Sequence, residues 1–584
     1  MITYRVDIHD PHAHQFRVTL ELPQPSVEQR LSLPVWIPGS YMVREFGRHL
    51  SQLQARQGVR ELPLQQLDKT TWLVRCEGRG SLTVSYLVYA FDTSVRTAFL
   101  DAQRGFFNGT SLFLRAEGRG HEPHRVRLGP LPRGWDVATG MRPAGKGQYE
   151  AADYDELVDH PFELGRFWRG SFEAAGVPHE FVVAGALPSF DGERLLADVR
   201  RICEAQIVFW HGKRGGKTAG RPPFDRYVFL LNAVEDAYGG LEHSASTALI
   251  FPRRDLPRRH QPGLADGHVR LLGLISHEYF HTWNVKRLKP AEFSTLDYTR
   301  ENYTSLLWFF EGFTSYYDDL FLVRAGLIDE ARYLKLVSAT LAGVQSTPGR
   351  QVQSVAQSSF DAWVKYYRAD ENTPNATVSY YTKGSLVALA LDLTLRSAKR
   401  GSLDELMRRL WKRSGGGPVS EDDIGTEFEA LGGREVADAL AAWVHGTGDL
   451  PLPALLPEFG IAMREDPATG MAAELGLRLS EGPVSGVQVR SVLSDSAAQR
   501  AGISPGDELL AVQGWRIRRL DDAQRLLPAS GQAQLLVVRD QRVLSLTLSP
   551  SSPEAEGRTV VLSVLPSADV PKAALVLRQA WWQG

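Results

Sequence analysis

The five residues His277-Glu278-Tyr279-Phe280-His281 allow few local conformations if their polar side chains are to act together. On an α-helix the two histidines, four residues apart, share one face and can present their imidazoles to a single ion, with Glu278 beside them. Leu271, Leu272, Leu274 and Ile275 make the preceding turns apolar, as expected of a helix buried in the wall of a cleft. An H-E-x-x-H array also arises by chance on solvated helices, so its surroundings decide its meaning. A second helical stretch, Trp308-Phe309-Phe310-Glu311-Gly312-Phe313, sets one carboxylate in an aromatic run, where burial is costly unless the charge is paired or bound to metal. His277, His281 and Glu311 are therefore the expected ligands of one Zn2+ per chain. Two imidazoles and a carboxylate leave a fourth position for water, whose pKa falls to about 7, and Glu278 is placed to take its proton. That is chemistry suited to peptide hydrolysis.

H-E-x-x-H followed by W-x-x-E-G-F resembles the gluzincin metallopeptidases, in which the Glu before Gly-Phe completes the zinc site. The longer string HEYFHTWNVKRLKP is similar to the glycyl aminopeptidase family within that group. Twenty-nine residues separate His281 from Glu311, more than in thermolysin-like or aminopeptidase N-like enzymes. The insert, around residues 286–303, is a feature of the glycyl aminopeptidases and is expected to line the cleft; Glu292 and Glu301 within it are the alternative third ligands.

Gly239-Gly240-Leu241-Glu242-His243 resembles the G-x-M-E-N element of aminopeptidase N-like gluzincins, with His in place of Asn. Glycines permit close backbone approach, and an edge strand can pair with an extended peptide. The resemblance implies that Glu242 grips a substrate's free α-ammonium while Gly239 and Gly240 lie along its backbone; the plain alternative is a turn with an exposed Glu. Tyr-x-Lys-Gly at residues 381–384 resembles the element whose tyrosine hydroxyl donates to the oxyanion. Matching on Lys-Gly selects Tyr381, with neighbouring Tyr380, or a simple helix-cap aromatic, as the alternatives.

A chain of 584 residues is too long for one core. Residues 1–165 read as a β-rich domain: Tyr4, Val6 and Ile8, then Phe16, Val18, Leu20 and Leu22, then Leu82, Val84, Tyr86 and Val88 alternate with polar residues. Residues 35–50 and 106–114 also look like the N-terminal domain of the glycyl aminopeptidases. His9, His12 and His14 are expected in a polar hairpin turn, not a metal shell. Residues 166–450 are expected to form a thermolysin-like, largely helical catalytic domain, with helices at residues 195–210, 331–342 and 386–395 and a strand at residues 227–231. Gly-Gly-Lys-Thr at residues 215–218 lacks the earlier glycine a phosphate-binding loop requires. Pro451-Leu452-Pro453 marks a linker. Residues 455–584 hold a PDZ-like domain and a tail: Glu474-Leu475-Gly476-Leu477-Arg478 and Pro505-Gly506-Asp507-Glu508 follow in PDZ order over residues 465–550, and N–H groups near residues 475–477 can receive a peptide's C-terminal carboxylate. The fold class is thus multidomain α+β.

A net charge of −2 gives no basic field for nucleic acid. No apolar run spans a bilayer and the first residues lack a signal-peptide pattern, so the expectation is a cytoplasmic protein without membrane contact. Cys76 and Cys203 show no C-x-x-C pattern and read as structural thiols. Together these features predict a zinc metalloprotease, and the resemblance implies an aminopeptidase, a hydrolase removing small N-terminal residues such as Gly or Ala from peptides with a free N-terminus. An endopeptidase with the same site, or a PDZ-based scaffold with a structural zinc, are the rivals. Residues from about 455 onward are expected to be dispensable for small substrates, since every proposed site residue precedes them.

Overall fold

The computed structural model describes residues 1–78, 80–214, 217–218, 220–467, 470–526, 532–549 and 558–584. Gly215 and Gly216 of the Gly-Gly-Lys-Thr stretch and parts of the PDZ-like span lie outside the described residues. The described chain divides into two compact units, one of residues 1–303, 317–327 and 411–420, the other of residues 304–316, 328–410 and 421–584. No described helix is long and apolar enough to cross a membrane.

In the first unit the period-2 pattern produces an eight-stranded sheet. Its strands Ile2–Asp10 and Gln15–Leu22 pair antiparallel with Tyr4 opposite Leu20 and Val6 opposite Val18, so that the apolar residues share one buried face. Leu82–Tyr89 continues the sheet beyond Gln15–Leu22 and buries Leu82, Val84, Tyr86 and Val88 on that same face. At the turn between the first two strands Asp10 Oδ1 accepts the backbone N–H groups of His12 and Ala13, while His9 and His12 remain exposed. The hairpin turn expected there is observed, but only two of its three imidazoles are solvated: His14 is part-buried, with Nδ1 2.7 Å from Leu100 O and its ring against Phe91.

Five strands follow in the order Trp168–Ala174, Val177–Ala184, Tyr227–Val234, Ser246–Pro252 and Gly239–Glu242, the last at the edge. Helix Gly192–His211 is capped by Asp191, whose carboxylate accepts from Arg194 N. Helix Asp266–Phe280 carries His277 and Glu278, and His281 caps its end with αR backbone.

The second unit is helical up to His445 and includes Glu330–Gln345 and Thr382–Ser397. Helix Leu307–Arg324 begins in this unit and ends in the first. The Pro-rich stretch read as a linker is a short helix, Leu452–Leu455, that buries Leu452. Proline at the first helical turn loses no hydrogen bond, so the punctuation marks a helix start as well as a break. A small sheet, with Leu477–Gly482 at one edge, surrounds its own apolar core of Val487, Val489, Leu509, Leu535 and Val537.

The tail has a clear place. Helix Lys572–Gln583 buries Trp581 fully, and its indole N–H donates to Tyr316 Oη at 2.9 Å. Tyr316 Oη in turn donates to Asp392 at 2.6 Å, and Arg396 donates to Ala580 O. Tyr316 stands on the helix that carries Glu311, so the expectation that residues from 455 onward are dispensable must be revised. Trp581→Ala should cost about 3–5 kcal/mol of stability through the cavity it leaves, and Trp581→Phe about 1 kcal/mol through the lost donor. Denaturant titrations of the two variants check this order.

Candidate metal centre

The helix Asp266–Phe280 is held before any ion is considered. Gln206 Nε2 donates to Ser276 O and Oγ at 2.8 and 2.9 Å, and Ser276 Oγ donates to Asp318 O at 2.8 Å. Tyr279 and Phe280, the two residues between Glu278 and His281, are fully buried on the other face. Phe280 stacks on Tyr317 with ring centroids 5.1 Å apart. The apolar residues of the motif thus fix the azimuth of the polar ones.

Hydrogen bonding then fixes both imidazole tautomers. His281 Nδ1 lies 2.8 Å from Asn284 O, a carbonyl that can only accept, so Nδ1 carries the proton. His277 Nδ1 lies 3.1 Å from Asp318 Oδ2. Burial raises both carboxyls, Asp319 well up with the Asp318 charge adding to it, while His277 acts the other way on Asp318, whose Oδ2 is the acceptor facing His277 Nδ1. With both Nδ1 atoms donating, the two Nε2 lone pairs face each other at 3.0 Å. Two acceptors at that distance call for a cation between them. Glu311, 2% exposed, supplies a third donor, and one donor atom from each of His277, His281 and Glu311 lies within 4.8 Å of the others. No other such group of three or more His, Cys, Asp or Glu occurs among the described residues. The donor set therefore fits a divalent ion that accepts nitrogen and oxygen, zinc foremost.

Glu278 is buried, with its carboxylate against the edge strand. A Cβ placed on Gly240 would lie 2.0 Å from Glu278 Oε1, so only glycine allows this approach. Two residues on, Glu242 is 4% exposed and pairs through its backbone with Thr247. Its carboxylate lies against the N-terminal loop: a Cβ on Gly39, whose φ is +90°, would meet Glu242 Oε1 at 2.5 Å. Residues 35–50 therefore reach this site.

The insert is present beside it. Val35 N donates to Tyr298 O at 2.8 Å and Trp36 Nε1 to Asp297 O at 2.8 Å. Lys286 Nζ donates to Asp159 Oδ1 at 2.6 Å, Ser244 N to Asp159 Oδ2 at 2.9 Å, and His243 Nδ1 lies 3.4 Å from Asp159 Oδ1. Burial opposes ionisation of Asp159, but Lys286 and His243 outweigh it and hold the carboxyl well below the usual range. The histidine that replaces Asn in the G-x-M-E-N-like element is thus buried in a salt-linked cluster, its pKa lowered chiefly by burial. Glu242, Asp159 and Lys286 line a cavity of about 710 Å³ shared with Trp36, Gly39 and Tyr298.

Tyr381 is half-buried at the cap of helix Thr382–Ser397, whereas Tyr380 is fully buried. Burial raises the Tyr381 hydroxyl pKa well up, and the nearby Glu311 carboxylate adds to it, so the hydroxyl stays protonated and able to donate. Gly312 and Gly384 pack backbone to backbone, a Cβ on Gly312 meeting Gly384 Cα at 2.6 Å, which brings the helix of Glu311 against the helix that Tyr381 caps. In the PDZ-like part, Gly476 N turns back to Ala473 O at 3.2 Å and Leu493 N donates to Gly476 O, so part of the expected carboxylate-binding loop is already engaged.

Sequence reasoning missed Asp318, although it lies seven residues, two helical turns, after Glu311 and so on the same face. It missed Asn284 because the functional group is a carbonyl. Asp159 carries no local signal at all.

The model of the Peptidase M61 N-terminal domain matches residues 3–166, that of the M61 glycyl aminopeptidase residues 270–387, and that of a PDZ domain residues 488–539. Among solved structures, an aminopeptidase N family protein from Idiomarina loihiensis is 36% identical, with 100% of each chain covered and a TM-score of 0.92. An M1 zinc metallopeptidase from Deinococcus radiodurans is 16% identical over 77% of this chain and 95% of that one, with a TM-score of 0.47. LTA4 hydrolase from yeast is 15% identical over 78% and 70%, with a TM-score of 0.46. No curated protein matches the chain.

Asp318→Asn should weaken metal binding about 10–100-fold by removing the charged acceptor of His277, while Glu311→Ala should remove stoichiometric binding altogether. Competition with a chromogenic chelator measures both.

Proposed function

The chain belongs to the M61 glycyl aminopeptidase family and is a metallopeptidase, and from this we propose that it is a zinc-dependent aminopeptidase removing small N-terminal residues, Gly or Ala, from peptides. One observation carries the exopeptidase part. Glu278 rests against Gly240 and Glu242 follows two residues along the same edge strand, about 6.6 Å away, which leaves room for a single residue between amine anchor and proton acceptor.

His277, His281 and Glu311 would hold one zinc ion per chain. Bound there, zinc supplies Lewis acidity and lowers the pKa of a water to about 7. Glu278 would accept the proton that the attacking water gives up and would deliver it to the departing amine. Tyr381 donates a hydrogen bond to the oxygen that gains charge, an interaction made only in the transition state. Glu242 pairs with the α-ammonium, and the backbones of Gly239 and Gly240 lie along the substrate as an added strand. The function is divided among residues 1–165, 166–450 and 455–584, with the edge strand Leu477–Gly482 in the last receiving a peptide C-terminus.

Glu278→Gln should retain zinc and lose most turnover, and Tyr381→Phe should lower kcat about 10²–10³-fold. Equal loss in Tyr380→Phe with none in Tyr381→Phe would move the donor by one residue. N-acetylation of an Ala-initiated peptide should abolish cleavage, and Glu242→Ala should penalise free-amine substrates far more than blocked ones; internal cleavage of the acetylated peptide at a comparable rate would identify an endopeptidase.

A further inference from the structure

The edge strand Gly239–Glu242 is paired on one side only, and an arginine from the N-terminal domain stands at its open side. Arg96 Nη2 donates to Gly240 O at 3.2 Å, and a Cβ on Gly239 would lie 3.5 Å from Nη1. The guanidinium is half-buried, makes no ion pair with a carboxylate among the described residues, and has a buried Nε without a partner among them. Such a group is held in place at a cost unless a ligand completes it.

Its loop is held firmly. Asn108, fully buried in the motif Phe106-Phe107-Asn108-Gly109, donates through Nδ2 to Val95 O at 2.9 Å and Thr97 O at 3.1 Å, the carbonyls on either side of Arg96. Arg96 N lies 3.4 Å from Ser94 Oγ. A family-like motif in the N-terminal domain thus aims one cation at the strand along which the substrate is proposed to lie.

We propose that Arg96 binds the free C-terminal carboxylate of a short peptide, so that the substrates are di- and tripeptides with both ends free. The proposal rests on the aminopeptidase reading. With the α-ammonium at Glu242 and the scissile bond beside Gly240, the residues beyond the bond run back towards Gly239 at about 3.3 Å per residue, and the chain end of a two- or three-residue peptide arrives at Arg96. A guanidinium matches a carboxylate with two parallel hydrogen bonds, which a peptide carbonyl or terminal amide cannot reproduce.

The test compares Ala-Ala and Ala-Ala-Ala with their C-terminal amides on the full-length, zinc-loaded wild type, Arg96→Gln and Arg96→Lys. In the wild type the acid should exceed the amide in kcat/KM by about 10–100-fold, chiefly through KM. In Arg96→Gln the acid-to-amide ratio should collapse to about one, and Arg96→Lys should recover part of it. A wild type indifferent to amidation would overturn the proposal, as would an Arg96→Gln that lowers acid and amide equally, the signature of a structural role. Failure of the parent reading looks different: zinc-loaded wild type that cuts N-acetylated peptides internally, whatever their C-terminus.

Discussion

Two imidazole nitrogens that face each other at 3.0 Å, each with its opposite nitrogen already donating, set the terms for the rest of this molecule. In water such lone pairs would turn apart, so the protein must hold them together until a cation arrives. It does so through Asp318 and the Asn284 carbonyl, through Ser276 and Gln206, and through the buried aromatic faces of Tyr279 and Phe280. Much of the first unit near the histidines is the support for one unfavourable juxtaposition.

The edge strand meets a complementary constraint. Gly240 admits Glu278 because it has no side chain, and Gly39, at a φ of +90°, admits Glu242 for the same reason. Both carboxylates therefore sit where backbone would normally exclude them, and both are buried. Burial strengthens each charge's interaction with whatever partner the site receives, because little water competes. The N-terminal β domain takes part through Gly39 and through the loop of Arg96, so it is part of the site's wall and more than a β-rich neighbour.

What was legible in the sequence was the part with a short period. Four residues from His277 to His281, one carboxylate in an aromatic run and two glycines before Glu242 are local signals. So were the alternating strands of residues 2–22. Asp318 was legible in principle, by helical spacing from Glu311. The contacts that reach across the chain were not: Asp159 meets Lys286 from 127 residues away and Arg96 meets Gly240 from 144, and no spacing rule links such pairs. The proline pair at residues 451–453 misled because proline both ends one element and begins the next.

The burial of Trp581 against Tyr316 has a consequence for how the molecule is made. Synthesis runs from the N-terminus, and domains ordinarily fold as they emerge. Here the histidines and the β domain appear early, but the helix bearing Glu311 receives part of its support from Trp581, 265 residues along the chain from Tyr316. The helix that carries Glu311 therefore gains its donor at Tyr316 only after Trp581 has been synthesised, and until then a nascent chain carries that carboxylate on an incompletely packed helix.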